Sequence, residues 1–241
     1  MKQITILDRN KFTYHIREAF KTLRTNLLFS GSDVKTIVMT SCLSNEGKST
    51  VSLELAKSLA AADKKVLLID ADLRKSVFVT RYTEVTETVL GLSEFLSSQA
   101  KLEDVLYETN TDGLHIIFAG SVPPNPVELL GSRKFDEFLH QIREEYDYVL
   151  IDASPLGLVI DAAVISSFCD GAVLIIAANE ISHKFAAGVQ EQLEKANCKI
   201  LGAVLNRVPV KSSGKYYGQK YGRYGAYGNY GSLEDADFNN K

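Results

Sequence analysis

A lysine, two hydroxyls and three carboxylates stand at the ends of apolar segments in this chain. Glu46-Gly47-Lys48-Ser49-Thr50 follows an apolar run over 36–40 and opens a stretch, 48–62, with helical spacing. A glycine-bearing loop between a strand and a helix turns backbone N–H groups toward an anion, and the helix start adds its positive end. Lys48 there reaches β- and γ-phosphates, Ser49 can hold Mg²⁺, and Thr50 meets an α-phosphate through its hydroxyl and N–H, while Glu46 and Gly47 complete the loop. The full consensus has a first glycine where this chain has Cys42. The strand–loop–helix context therefore carries the assignment, rather than the strict pattern.

The carboxylates come from two further strands. Leu67-Leu68-Ile69-Asp70-Ala71-Asp72-Leu73-Arg74 is an apolar strand ending in two acids and a guanidinium. Strand alternation puts residues 70 and 72 on one side. Two carboxylates so placed repel unless a cation lies between them or one is protonated. Tyr148-Val149-Leu150-Ile151-Asp152 supplies a second such end, with Asp152 the expected Mg²⁺ carboxylate by way of water. Alone, Asp152 reads better as a turn or helix-cap residue, whereas Asp70 with Asp72 is less easily read as a polar surface turn. Arg74 and Lys75 can neutralise the acids or reach a phosphate, and Asn206 fits an adenine edge as well as a turn.

These groups need a scaffold that gathers strand ends. Apolar runs at 36–40, 66–70, 114–119, 148–152, 172–177 and 200–205 read as buried strands, and 48–62, 133–145 and 183–196 as helices between them. The alternation predicts an α/β, P-loop NTPase-like doubly wound fold, a mostly parallel sheet with helices on both faces and the site at the strand C-termini. Residues 71–113 are polar, with short helical candidates at 92–97 and 102–107, and read as an insertion over the site. The expected division is an N-terminal helix segment over 1–34, a nucleotide-binding domain over 35–208, and a tail over 209–241. In the first segment Ile16, Phe20, Leu23 and Leu27 share a helical face over 14–29, with Glu18, Lys21 and Arg24 on the other.

Composition narrows the classes. The 241 residues are 45% hydrophobic with a net charge of -3, so the strongly basic footprint of a nucleic-acid binder is absent. Three cysteines at unrelated spacing suit a reducing cytoplasm better than a disulfide framework or zinc site. No apolar stretch approaches the ~20 residues of a membrane span, and the N-terminus has no leader-like core. Residues 211–231 are Lys, Ser, Gly and Tyr almost throughout, a composition that builds no core and is expected to stay mobile.

The order and spacing of these motifs resemble the bacterial tyrosine kinases, and more closely the separate cytoplasmic kinase of Gram-positive capsule or exopolysaccharide operons. The resemblance spans roughly residues 10–231 and rests on the EGKST loop, the LLIDADLRK and VLIDASP segments, and the tyrosine cluster. It implies an ATP- and Mg²⁺-dependent tyrosine autokinase acting in trans within a ring of subunits. Such a kinase is activated by a membrane adaptor that also regulates chain length, opposed by a cognate phosphatase, and held at the inner face of the membrane through the adaptor. It further implies Asp70 as base for the tyrosine hydroxyl, Asp72 and Asp152 as support for the metal, and an E-x-x-R-x-x-R interface helix, here Glu18, Lys21 and Arg24. Lys21 departs from that pattern and loses the bidentate fork of arginine. The expected acceptors are Tyr216, Tyr217, Tyr221, Tyr224, Tyr227 and Tyr230, five of them followed by glycine, with Lys215, Lys220 and Arg223 among them. The alternative is a partitioning or positioning ATPase of the same fold, whose signature lysine is replaced by Leu43.

Overall fold

The stretches 66–69, 149–151 and 172–177 carry no polar residue on either face, and such strands must be covered on both sides. The computed structural model describes residues 2–10, 12–85 and 89–209. Its strands are β1 (Lys2–Ile4), β2 (Thr36–Ser41), β3 (Val66–Asp70), β4 (Leu106–Thr109), β5 (Leu114–Ile117), β6 (Tyr148–Asp152), β7 (Gly171–Ala177) and β8 (Ile200–Asn206). Its helices are α1 (Tyr14–Leu28), α2 (Lys48–Ala60), α3 (Phe78–Tyr82), α4 (Leu92–Leu96), α5 (Leu102–Val105), α6 (Pro126–Leu130), α7 (Arg133–Glu145), α8 (Asp161–Ser166) and α9 (His183–Lys195).

The strands form one sheet in the order β1-β4-β5-β3-β6-β2-β7-β8. Every pair is parallel except β4 with β5. The central strands alternate strictly between two cores. Leu67 and Ile69 pack with Val149 and Ile151 under α7 and α9, where Phe135, Phe138, Leu139 and Leu193 are buried. Leu68 and Leu150 face the other way, onto Leu55 and Leu59 of α2 and Phe78 and Tyr82 of α3. Helix α1 lies on α2, and Arg24 Nη1 donates to the Ser58 carbonyl at 2.8 Å.

The sheet differs from its sequence-based expectation at one edge. Within 71–113 the part up to Tyr82 stays near the strand C-termini, but Leu106–Thr109 turns away and pairs antiparallel with β5, and β1 adds outside it. Strands of three and four residues are too short for a readable period and form by pairing with a ready edge. The tail and its six tyrosines, Tyr216, Tyr217, Tyr221, Tyr224, Tyr227 and Tyr230, lie outside the described residues. Among the described residues no helix is long and apolar enough to cross a membrane.

Candidate active site

β2 feeds the loop that ends at Gly47, the N-cap of α2. Gly47 has φ +89°, and a Cβ there would lie 2.2 Å from Asn206 Nδ2. That amide donates to the Glu46 carbonyl at 2.8 Å, so Asn206 pins the loop instead of lying free for a base edge. Glu46 is also structural: its carboxylate accepts from the N–H of Leu43 at 2.6 Å and of Ala177 at 3.0 Å. It ties the loop to β7 and does not line the cleft. Cys42, in the place of the first consensus glycine, is fully buried. Burial, then the nearby Glu46 charge, pushes its thiol up to about 11, so it stays neutral. No side chain caps α2, and helix geometry leaves the first N–H groups, those of Lys48, Ser49 and Thr50, without intrahelical acceptors. These donors face a cleft of about 260 Å³ lined by Gly47, Lys48, Ser49, Thr50, Asp72 and Arg74.

Behind the cleft, the pairing of β3 with β6 sets Asp70 directly beside Asp152. Both are fully buried. Asp152 is the hub. Its Oδ2 accepts from Lys48 Nζ and Ser49 Oγ, each at 2.7 Å, and its Oδ1 from Ser52 Oγ at 2.7 Å. Among the described residues no cation pairs with Asp70. It accepts from the Ser76 hydroxyl and, at 3.2 Å, from the Asp72 N–H. Burial first, then the Asp152 charge, raises its carboxyl from 3.8 to about 7, against the opposing Ser76 hydrogen bond and the Lys48 charge.

Alternation would have set Asp70 and Asp72 side by side. β3 ends at Asp70, the chain turns, and Asp72 opens into the cleft while Asp70 does not. Asp72 Oδ1 accepts from Ser154 Oγ at 2.8 Å and from the Lys75 N–H at 3.1 Å. Arg74 pairs with neither acid of its own segment. It makes a two-pronged ion pair with Asp161, at the first turn of α8. The Thr50 hydroxyl meets the Tyr82 hydroxyl at 2.7 Å. Ser52, Ser76, Tyr82, Ser154 and Asp161 were not singled out from sequence. Only Ser52, one turn after Lys48, carried a signal in its spacing.

The three residues expected at an interface do not form one free face. Lys21 Nζ contacts Glu18 Oε1 at 2.7 Å along α1, and Arg24 is turned onto α2.

Comparisons with known proteins place this geometry. A family model described as an AAA domain matches residues 34–198. The tyrosine-protein kinase CpsD of Streptococcus agalactiae is 44% identical over 207 residues, which are 84% of this chain and 90% of that protein. The kinase domain of the Escherichia coli tyrosine kinase ETK superposes with a TM-score of 0.73 at 32% identity, covering 83% of this chain and 80% of that one. The Pyrococcus furiosus cell division ATPase MinD shares the fold more distantly, with a TM-score of 0.61 at 27% identity over 74% of each chain.

Proposed function

The chain belongs to the bacterial tyrosine-protein kinases, and from that premise we propose that it transfers the γ-phosphoryl group of MgATP to the tyrosines of its own C-terminal segment. The observation that carries this is the set of Lys48, Ser49 and Ser52 on the buried Asp152, which lies beside Asp70 behind the phosphate-side cleft. A lysine held by a carboxylate can be exchanged onto a phosphate. When the triphosphate enters, the Lys48 ammonium moves from Asp152 to the β- and γ-phosphate oxygens. The free N–H groups of Lys48, Ser49 and Thr50 receive the remaining phosphate charge. Such transfer depends on positioning and electrostatics more than on covalent chemistry.

The donor set fits a divalent ion only in part. Among the described residues no three His, Cys, Asp or Glu side chains are gathered to hold a metal. Ser49, Asp72 and, through water, Asp152 would therefore share Mg²⁺ with phosphate oxygens, and the ion would supply charge neutralisation there. Asp70, with a carboxyl near 7, is matched to accept the phenolic proton at neutral pH. The Ser76 hydroxyl lies over it and has to move aside or relay that proton.

The wider assignment follows the same premise. Subunits phosphorylate one another in trans within a ring that uses α1. A membrane adaptor activates them and holds them at the inner membrane face, and a phosphatase reverses the reaction. The process served is capsular or exopolysaccharide synthesis and export.

The test is incubation of the full chain with radiolabelled ATP and Mg²⁺, with and without the cytosolic end of a chain-length regulator fused to it, followed by phosphoamino-acid analysis. Phosphotyrosine is expected, and it disappears in Lys48→Met. A folded Lys48→Met protein labelled like wild type would end this assignment.

A further inference from the structure

Arg74 leaves the strand end that carries Asp70 and becomes one wall of the phosphate-side cleft. Its Nε donates to Asp161 Oδ2 at 2.6 Å and its Nη2 to Asp161 Oδ1 at 2.9 Å. This parallel fork is the strongest and most directional form of an arginine–carboxylate pair. The two ends sit in different media: the Asp161 side chain is 0% exposed, that of Arg74 40%. Burying an ionised carboxylate is unfavourable unless a cation meets it, and a residue that only filled space would not be an acid. Arg74 is the one cation bonded to Asp161 among the described residues.

The fork occupies two of the five guanidinium N–H groups. The other three have no protein acceptor among the described residues. They lie outside the fork to Asp161, and Arg74 lines the cleft. Asp72 and Glu128 are close enough for their charges to act on the same guanidinium. Freed from Asp161, it would have Asp72 as a competing partner.

We propose that Asp161 is a positioning residue that holds Arg74 with its unpaired N–H edge toward the terminal phosphate of the bound triphosphate, so that Arg74 touches the transferred phosphoryl group. This rests on the kinase assignment above. In the transfer, the tyrosine oxygen–phosphorus bond forms as the bond from the γ-phosphorus to the β,γ-bridging oxygen breaks. The phenolic proton passes to Asp70, and ADP departs with the electron pair. Arg74 forms no bond and stabilises the charge on the moving group.

The experiment uses the full chain as wild type, Asp161→Asn, Asp161→Glu, Arg74→Ala and the double variant Arg74→Ala with Asp161→Asn. Calorimetric titration measures MgADP and the Mg²⁺ complex of the β,γ-imido ATP analogue separately, beside kcat and KM for phosphotyrosine formation. Asp161→Asn should bind ADP within about twofold of wild type, bind the analogue roughly tenfold more weakly, and lose kcat by about 10- to 100-fold, the scale of one misplaced charged donor. Asp161→Glu keeps the charge and should recover part of the loss. Asp161→Asn should change nothing further once Arg74 is Ala. Equal weakening of ADP and analogue, a further loss in the Arg74→Ala background, or wild-type analogue binding and kcat each overturn the proposal. Should Asp161→Asn fail to fold, Asp161→Glu carries the same ADP-against-analogue comparison. A wild-type chain that makes no phosphotyrosine yet keeps the Arg74-dependent preference for the analogue removes the kinase assignment alone.

Discussion

Asp70→Asn should end phosphotransfer and at the same time stabilise the nucleotide-free chain at alkaline pH. The Asp70 carboxyl is fully buried beside Asp152, and its pKa rises from 3.8 to about 7. The folded state therefore holds a proton that the unfolded state releases above about pH 4. Between these limits the native state binds more protons than the unfolded one, so stability falls as pH rises. Each unit is worth about 1.4 kcal/mol, and the shift of about three units removes about 4 kcal/mol by pH 8. Asparagine carries no charge in either state and escapes this loss. Its amide N–H₂ needs acceptors that the carboxylate did not, at a cost of about 1–3 kcal/mol. The net gain at pH 8 is about 1–3 kcal/mol, a rise in Tm of roughly 2–10 °C for a chain of this size. The pH dependence is cleaner than the absolute value, because the amide cost cancels. The advantage of Asp70→Asn over wild type should shrink by about 2 kcal/mol between pH 8 and pH 5.5. Calorimetric melts of both proteins at the two pH values, without nucleotide, measure it. An advantage that is absent at pH 8, or equal at both, would refute the burial of an uncompensated Asp70 carboxyl.

Three other outcomes follow from the same geometry. Asp152→Asn removes the anion that three donors share, so Mg²⁺-dependent binding of a fluorescent nucleotide should weaken more than in Asp70→Asn; equal affinities would contradict its place as hub. Reversing Glu18 and Arg24 together should give monomers by light scattering if α1 forms the ring, and since Arg24 also anchors α2, Tm should fall by a few degrees, whereas an unchanged assembly rules the interface out. An active chain with all six tail tyrosines as Phe, mixed with the Lys48→Met chain, should label only the Lys48→Met tail; label confined to the Phe variant would place the acceptors elsewhere and remove transfer in trans.

Legibility in sequence followed burial. β2, β3, β6 and β7 are covered on both faces, or nearly so, and their apolar runs mark them within one or two residues, as does that of the more exposed edge strand β8. β1 and β4 escaped because a strand of three or four residues is decided by its neighbour, not by its own pattern. The loop was legible by residue type, yet the work of its acidic member was not. Glu46 looks like a cleft residue and is a strut to β7, because two backbone N–H groups that meet only in the fold claim its carboxylate.

The charge pairings were the least legible part, and they decide the chemistry. Neighbouring Asp70, Asp72 and Arg74 suggest a local ion cluster, but the chain leaves the sheet after Asp70, and each side chain takes a different partner: Ser76, Ser154 and Asp161. Lys48 and Asp152 are 104 residues apart, Arg74 and Asp161 are 87. Side-chain charge on one strand end is thus met from another, which no spacing records. The result is an unequal division of cations. Asp152 and Asp161 each hold one, and among the described residues Asp70, beside Asp152, holds none. A site built only for stability would have paired or removed that carboxyl, since an unpaired buried acid costs more than an apolar residue in its place. A buried carboxyl beside a lysine that phosphate can draw off fits the proposed role of Asp70 as proton acceptor near neutral pH.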